Sequence, residues 1–226
     1  MKQVNDISKW QGEADFRMMR EKSVGVILRA GPDNGSWEDK KFREWRNQAE
    51  SLNYPYGNYW YYLGNISPKL QAEYWSNIIG DRHGALGCWL DLEHNLIHEN
   101  NTYLKWWDCL AYFKQLQPSA VVGIYTRASY FNDPQWKVPA KHAFRNLPLW
   151  VAHYEVDNPT LPNGWTDWLL WQYSERGDGH AHGVGSHRID MNNYKGDIGE
   201  TIPTPQGNQV TAIFGKIQTQ YQEIIK

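Results

Sequence analysis

Short apolar runs closed by turn residues recur along this chain about every 30 residues, and that rhythm limits the fold more than any other feature. Runs suited to strands lie at 3–7, 24–30, 56–62, 86–93, 120–126, 148–154, 168–173 and 187–191. Helical patterns separate the early ones. Across 38–52 the apolar positions are Phe42, Trp45, Ala49 and Leu52, the spacing of one helix face. Across 101–116 they are Leu104, Trp107, Leu110 or Ala111, and Leu116. Residues 14–22 and 68–79 also read as helix, and a short one is expected near 127–131. The connections 132–147, 155–167 and 174–186 are rich in Pro, Gly, Asn and Asp and carry no strong amphipathic period. The pattern is βα repeated about five times, then three strands joined by loops. It predicts an α/β fold: a closed barrel with an incomplete coat of helices.

Strand four supports a barrel. In Leu86-Gly-Cys-Trp-Leu-Asp-Leu-Glu93, alternation sends Leu86, Cys88, Leu90 and Leu92 toward the helices. Gly87, Trp89, Asp91 and Glu93 then face the barrel interior, with the acidic pair at the C-terminal end, where barrels of this class build their sites. Asp6, Asp91, Glu93 and Asp190 each fall near the C-terminal end of an expected strand. Strands one and eight are neighbours in a closed barrel, so Asp6 and Asp190 should be adjacent. Four carboxylates at one mouth repel each other unless they share protons, meet a cation or do chemistry. Arg29, inward by parity on strand two, could pair with them. A hard divalent metal is a second use. A third is a carboxyl kept protonated as general acid for a glycosidic bond. Strand residues i and i+2 stand roughly 6.7 Å apart at Cα, too coarse a measure to choose between retaining and inverting geometry.

Composition points to the class of ligand. The 226 residues include 13 Trp, 14 Tyr and 6 Phe. Such a content suits either a packed core or a site that stacks on sugar rings. Parity turns Tyr59, Tyr61 and Tyr125 inward, with Gly57 and Gly123 below them leaving room. Trp106 and Trp107 lie on a helix and read as core. Lys and Arg total 23 against 25 Asp and Glu, a net charge of −2. That balance gives no electrostatic reason to bind nucleic acid or an anionic membrane.

Cys88 and Cys109 sit in apolar settings and read as buried free thiols rather than a disulfide. His180, His182 and His187 lie in a Gly-rich stretch and read as a surface loop lining a groove; zinc binding there is the alternative. His94 points away from the lumen by parity. The N-terminal stretch MKQVNDISKWQGEADFRMMREK has no apolar run or small-residue cleavage site, so it does not read as a secretory signal. Residues 201–205 read as a stiff linker. Beyond it, Val210, Phe214, Ile217, Tyr221 and Ile224 form a heptad seam on a helix of roughly 17 residues. That helix could fold back on the barrel, dock or self-associate through 207–225, or be a disordered end.

Eight segments in order carry a family resemblance. They are DISKWQG at 6–12, ILRAG at 27–31, GNYWY at 57–61, DLE at 91–93, IYT at 124–126, LWVAHY at 149–154, WLLWQYS at 168–174 and IDMNNY at 189–194. The chain thereby resembles the glycoside hydrolase family 25 lysozymes, the muramidase group that includes many phage lysins. The resemblance implies an irregular TIM-like (β/α)5β3 barrel over 1–198, with 199–226 a linker and short helical tail. It implies hydrolysis of the β-1,4 bond between N-acetylmuramic acid and N-acetylglucosamine in peptidoglycan strands, without a cofactor. Glu93 would be the acid, Asp91 its partner, and Asp6 and Asp190 supporting carboxylates. The implied route is substrate-assisted, the 2-acetamido oxygen attacking the anomeric carbon. The resemblance also brings Trp150 and Trp171 to the mouth, to bind sugar together with Tyr59, Tyr61, Tyr125 and Arg29. Trp60 stands where the family often has His, a change expected to alter contacts beside the sugar. A phage endolysin, made in the cytoplasm of the producing or infected cell and acting on the bacterial wall, is the expected setting.

Two other readings remain. One is a barrel that binds glycan, or serves a virion, without turnover; the intact acidic set argues against it. The other is a chitinase with a D-x-x-D-x-D-x-E strand. Counting back from Glu93, Asp91 fits that pattern, but Trp89 and Leu86 hold the other two acidic places.

Overall fold

The computed structural model describes residues 1–33, 35–93 and 102–197. Eight strands close into one barrel in sequence order. They are β1 (Lys2–Ile7), β2 (Gly25–Gly31), β3 (Tyr56–Tyr61), β4 (Cys88–Leu92), β5 (Val122–Thr126), β6 (Leu149–Ala152), β7 (Leu170–Asp178) and β8 (Arg188–Tyr194). Helices α1 (Phe16–Lys22), α2 (Phe42–Ser51), α3 (Pro68–Ile79), α4 (Thr102–Leu116) and α5 (Ala128–Phe131) follow the first five strands in turn. The expected (β/α)5β3 order is therefore present. Local chemistry sets the helix starts: the Asp15 side chain accepts from Arg17 N ahead of α1, and Pro68 follows the capping Ser67 of α3.

Adjacent strands run parallel from β1 to β7, but β8 is antiparallel to both β7 and β1. This corrects the placement of one acid. Asp190 lies near the N-terminal end of β8, and the reversed direction of that strand brings it to the same mouth as the C-terminal ends of the others. β7 also runs to Asp178, five residues into a stretch that reads as loop, and forms a hairpin with β8. Short 3-10 turns occupy Pro134–Trp136 and Ala143–Asn146 in another expected loop.

Two apolar layers result. Outside the strands, Cys88, Leu90 and Leu92 pack with Trp60, Trp75, Trp106, Trp107 and Phe113 of the strands and helices. Inside lie Val4, Ile27, Trp89, Tyr125, Trp150 and Leu170. Leu86 belongs to the inner layer, not the outer one expected from alternation, because β4 begins at Cys88 and Gly87 (φ 77°) breaks the phase before it. Gly123 makes room for a large ring: a Cβ there would stand 2.4 Å from Trp89 Cζ3. Cys88 and Cys109 are buried free thiols, as expected.

Among the described residues no helix is long and apolar enough to cross a membrane. His180 Nε2 lies 3.0 Å from His187 Nδ1, whereas His182 Nδ1 is 3.0 Å from Asn5 Oδ1, so the three imidazoles do not converge. No cluster of three or more potential metal ligands occurs among the described residues. His94 and the expected tail helix lie outside them.

Candidate active site

At the mouth formed by the ends of β1, β4 and β8, a cleft of about 210 Å³ is lined by Asp6, Asp91, Glu93 and Asp190. Tyr59, Tyr125, Trp150, Tyr154, Gln172 and Glu175 complete its lining. Asp6 and Asp190 are directly paired in the β1–β8 register. Asp91, next to last in β4, lies between Tyr61 of β3 and Tyr125 of β5, and Glu93 follows just beyond the strand.

Each carboxyl has its own surroundings. Burial raises Asp6 to about 6, opposed by amide donors and reinforced by the charge of Glu93. Those donors are Asn192 Nδ2, 2.8 Å from Asp6 Oδ2, and Gln172 Nε2, 3.0 Å from the same oxygen. Burial and then the charges of Asp6, Glu175 and Glu93 push Asp190 up to about 9. The hydrogen bond between the two acids lowers Asp6 and raises Asp190, so Asp190 is the member that keeps the proton and donates it. Asp91 is raised well above the carboxylate range by burial and by Glu93, with Arg29 pulling the other way. Its Oδ1 is buried with no hydrogen-bond partner among the described residues. An unsatisfied buried acceptor of this kind is costly and suits a group that awaits a ligand.

A relay of polar side chains orients the pair. The hydroxyls of Tyr125 (2.8 Å) and Tyr154 (2.6 Å) donate to Gln172 Oε1, which turns the Gln172 amide nitrogen toward Asp6. Tyr125 Oη is also 3.4 Å from Glu93 Oε2. Trp150 Nε1 donates to Asn192 Oδ1 at 2.7 Å, fixing the other amide that holds Asp6. Its ring packs edge-on against Tyr125, Trp89 and Tyr59 to make the floor.

The expected sugar-binding set divides. Tyr59, Tyr125 and Trp150 line the cleft. Arg29 and Tyr61 stand outside that lining; the guanidinium carbon is 4.9 Å from the Tyr61 ring centre, and Arg29 Nη2 donates to Pro32 O. From there Arg29 acts on Asp91 through its charge. Trp171 does not reach the mouth as expected. It faces the outer layer, packs against Trp168 and Tyr173, and donates from Nε1 to His153 O. Trp60 likewise lies in the outer layer, stacked on Trp37 and Trp75 and bonded to Gln71, so its replacement of the usual His changes no contact in the cleft.

Gln172, Asn192 and Tyr154 were not singled out by the sequence. Asn192 had a signal: it stands two residues after Asp190 and so on the same strand face. Gln172 is the lone polar residue in the run from Trp168 to Tyr173, which was a cue to a buried polar contact.

Similar proteins share this barrel and its sequence. The sequence profile of Glycosyl hydrolases family 25 matches residues 5–182. Lysozyme M1 of Streptomyces globisporus is 29% identical over 211 residues, which cover 87% of this chain and 69% of that protein. The bacterial lysozyme structure from Streptomyces coelicolor superposes with a TM-score of 0.70 at 27% identity, covering 87% of this chain and 93% of that one. The spore cortex lytic enzyme SleM of Clostridium perfringens shares the fold, with a TM-score of 0.75 at 23% identity, over 89% and 69% of the two chains. With the family profile spanning most of the barrel, the chain belongs to the family 25 glycosyl hydrolases.

Proposed function

We propose that this glycoside hydrolase is a muramidase that cleaves the β-1,4 bond between N-acetylmuramic acid and N-acetylglucosamine in bacterial peptidoglycan. The observation that carries the reading is the placement of Asp91 and Glu93 beside the proton-sharing pair Asp6–Asp190, in a cleft floored by aromatic rings. The lysozyme names of the similar proteins support the substrate class.

Glu93 is the general acid. It stands just beyond β4 in the cleft, with Tyr125 Oη, which donates to Gln172 Oε1 at 2.8 Å, 3.4 Å from its Oε2. From that place it gives a proton to the leaving oxygen. The 2-acetamido oxygen of the sugar closes on the anomeric carbon as the glycosidic bond breaks. Asp91 steadies the positive charge that then develops on the ring through its buried Oδ1, an acceptor with no hydrogen-bond partner among the described residues. Glu93, now ionised, takes a proton from water as the water opens the cyclic intermediate, giving net retention. Asp6, tethered to Asn192 and Gln172, and Asp190, paired with it across β1 and β8, support the site. On this reading its biological role is lysis of the bacterial wall in the manner of an endolysin.

The test is mass spectrometry of borohydride-reduced fragments from purified peptidoglycan. Muramidase action yields muramitol ends. Glucosaminitol ends or free peptides would overturn the bond assignment, and wall binding without any fragment would indicate a silent glycan-binding barrel.

A further inference from the structure

Beside the catalytic cleft a second, larger cavity of about 510 Å³ opens over the ends of β5 and β6. The two share Glu93, Tyr125 and Tyr154 as a common edge. Past that edge the chemistry reverses. The cleft is lined by four carboxyls; beyond the shared Glu93 the second cavity combines a cation and other donors with the apolar Ala128 and Ala152. Arg127 supplies a permanent cation. His153 Nδ1 accepts from Thr160 N at 2.9 Å, so the neutral ring carries its proton on Nε2 as a donor. Asn132 Oδ1 accepts from Asn163 N at 2.8 Å, which leaves its amide N–H groups as the remaining polar face. Ser129 adds a hydroxyl.

Arg127 is also well anchored. It caps α5, its carbonyl accepting from Tyr130 N and Phe131 N. The preceding Thr126 donates from Oγ1 to Leu92 O at 2.7 Å, tying this corner to the strand that carries Asp91.

A strand of N-acetylated hexoses is uncharged along its backbone. Its carboxylates lie on the lactyl group of the muramyl residue or, once that is amidated, on the peptide attached there. A cavity of this size, lined by a guanidinium, other donors and the apolar Ala128 and Ala152, exceeds what a lactyl carboxylate fills and matches a peptide that carries carboxylates and carbonyls. We propose that this second cavity binds the acidic peptide borne by the muramyl residue, with Arg127 as its carboxylate-binding residue. The assignment rests on the muramidase reading above.

The experiment compares wild type, Arg127→Ala and Arg127→Lys on soluble glycan strands that carry peptides and on the same strands stripped by an amidase. With peptides present, Arg127→Ala should raise KM roughly tenfold with kcat little changed, the scale of one lost charge-assisted contact. Arg127→Lys should recover part of that loss, and on stripped strands the three proteins should differ by less than about twofold in kcat/KM. Equal KM values on peptide-bearing strands would overturn the proposal. An equal or larger loss on stripped strands would overturn it too, moving Arg127 to the lactyl carboxylate or the sugars. Failure of the wild type to cleave either substrate would instead remove the muramidase reading, and the peptide assignment with it.

Discussion

Asp6 and Asp190 face each other across the antiparallel β1–β8 pair and share one proton, with Asp190 the holder. The reversal of β8 creates this pair. It also leaves the mouth with a titrating unit whose effect on stability has a definite sign. Burial lifts Asp190 from 3.8 to about 9, so between those values the folded state binds a proton that the unfolded chain releases. Stability from this group is therefore greatest at low pH and declines as pH rises from about 4 toward 9.

Asp190→Asn should remove that decline. The amide still donates to Asp6 but does not titrate. The melting temperature of the variant minus that of wild type should increase from pH 4 to pH 8, by several degrees on the order expected for a buried carboxyl in a domain of this size. Thermal melts across that range check it; a difference that is flat or falls with pH would show that Asp190 is ionised in the folded protein.

Glu93→Gln should cost about 10²–10⁴-fold in turnover, because an amide cannot donate the proton needed by the leaving oxygen. Binding of glycan should be nearly unchanged, since the side chain keeps its size. Turbidity loss on cell walls and a binding isotherm together test this. Residual activity above about a tenth of normal would remove Glu93 from the role of acid.

Gln172→Ala deletes one of the two amide donors that hold Asp6 down. The Asp6 carboxyl should rise further above its value of about 6, and the acidic limb of the kcat/KM profile should move to higher pH. The substitution also frees the hydroxyls of Tyr125 and Tyr154. A limb that stays in place would mean that Asp6 does not govern it.

Trp150 and Trp171 should part company. Trp171→Phe removes a bond to His153 O in the outer layer and should lower stability by roughly 1–2 kcal/mol without changing KM. Trp150→Phe frees Asn192 and disturbs the floor of the cleft, so KM or kcat should suffer as well. Denaturant melts and Michaelis curves on the same preparations separate the two effects.

Much of the barrel is legible from periodicity. The helix face of Phe42, Trp45 and Ala49 is buried as its spacing requires, and α3 spans Pro68–Ile79 as expected. On β4 the alternation of Cys88, Leu90 and Leu92 against Trp89 and Asp91 is the one observed, because one face meets the helices and the other the lumen. That phase was enough to bring Asp91 and Glu93 to the mouth.

Tertiary structure decided the rest, and the reason is the same in each case. A strand buried on both faces carries apolar residues on both, so its sequence does not reveal which set points inward. Along Leu169-Leu-Trp-Gln-Tyr173 only closure of the barrel shows that Leu170 and Gln172 face the lumen while Trp171 and Tyr173 face out. Strand direction is equally silent: β8 reads like its neighbours, yet it runs the other way, and that reversal sets Asp190 opposite Asp6. The proton that these acids share, and the amides of Gln172 and Asn192 that hold Asp6, depend on residues up to 186 positions apart. Short-range pattern determined which side chains could do chemistry; only the closed barrel decided which of them meet.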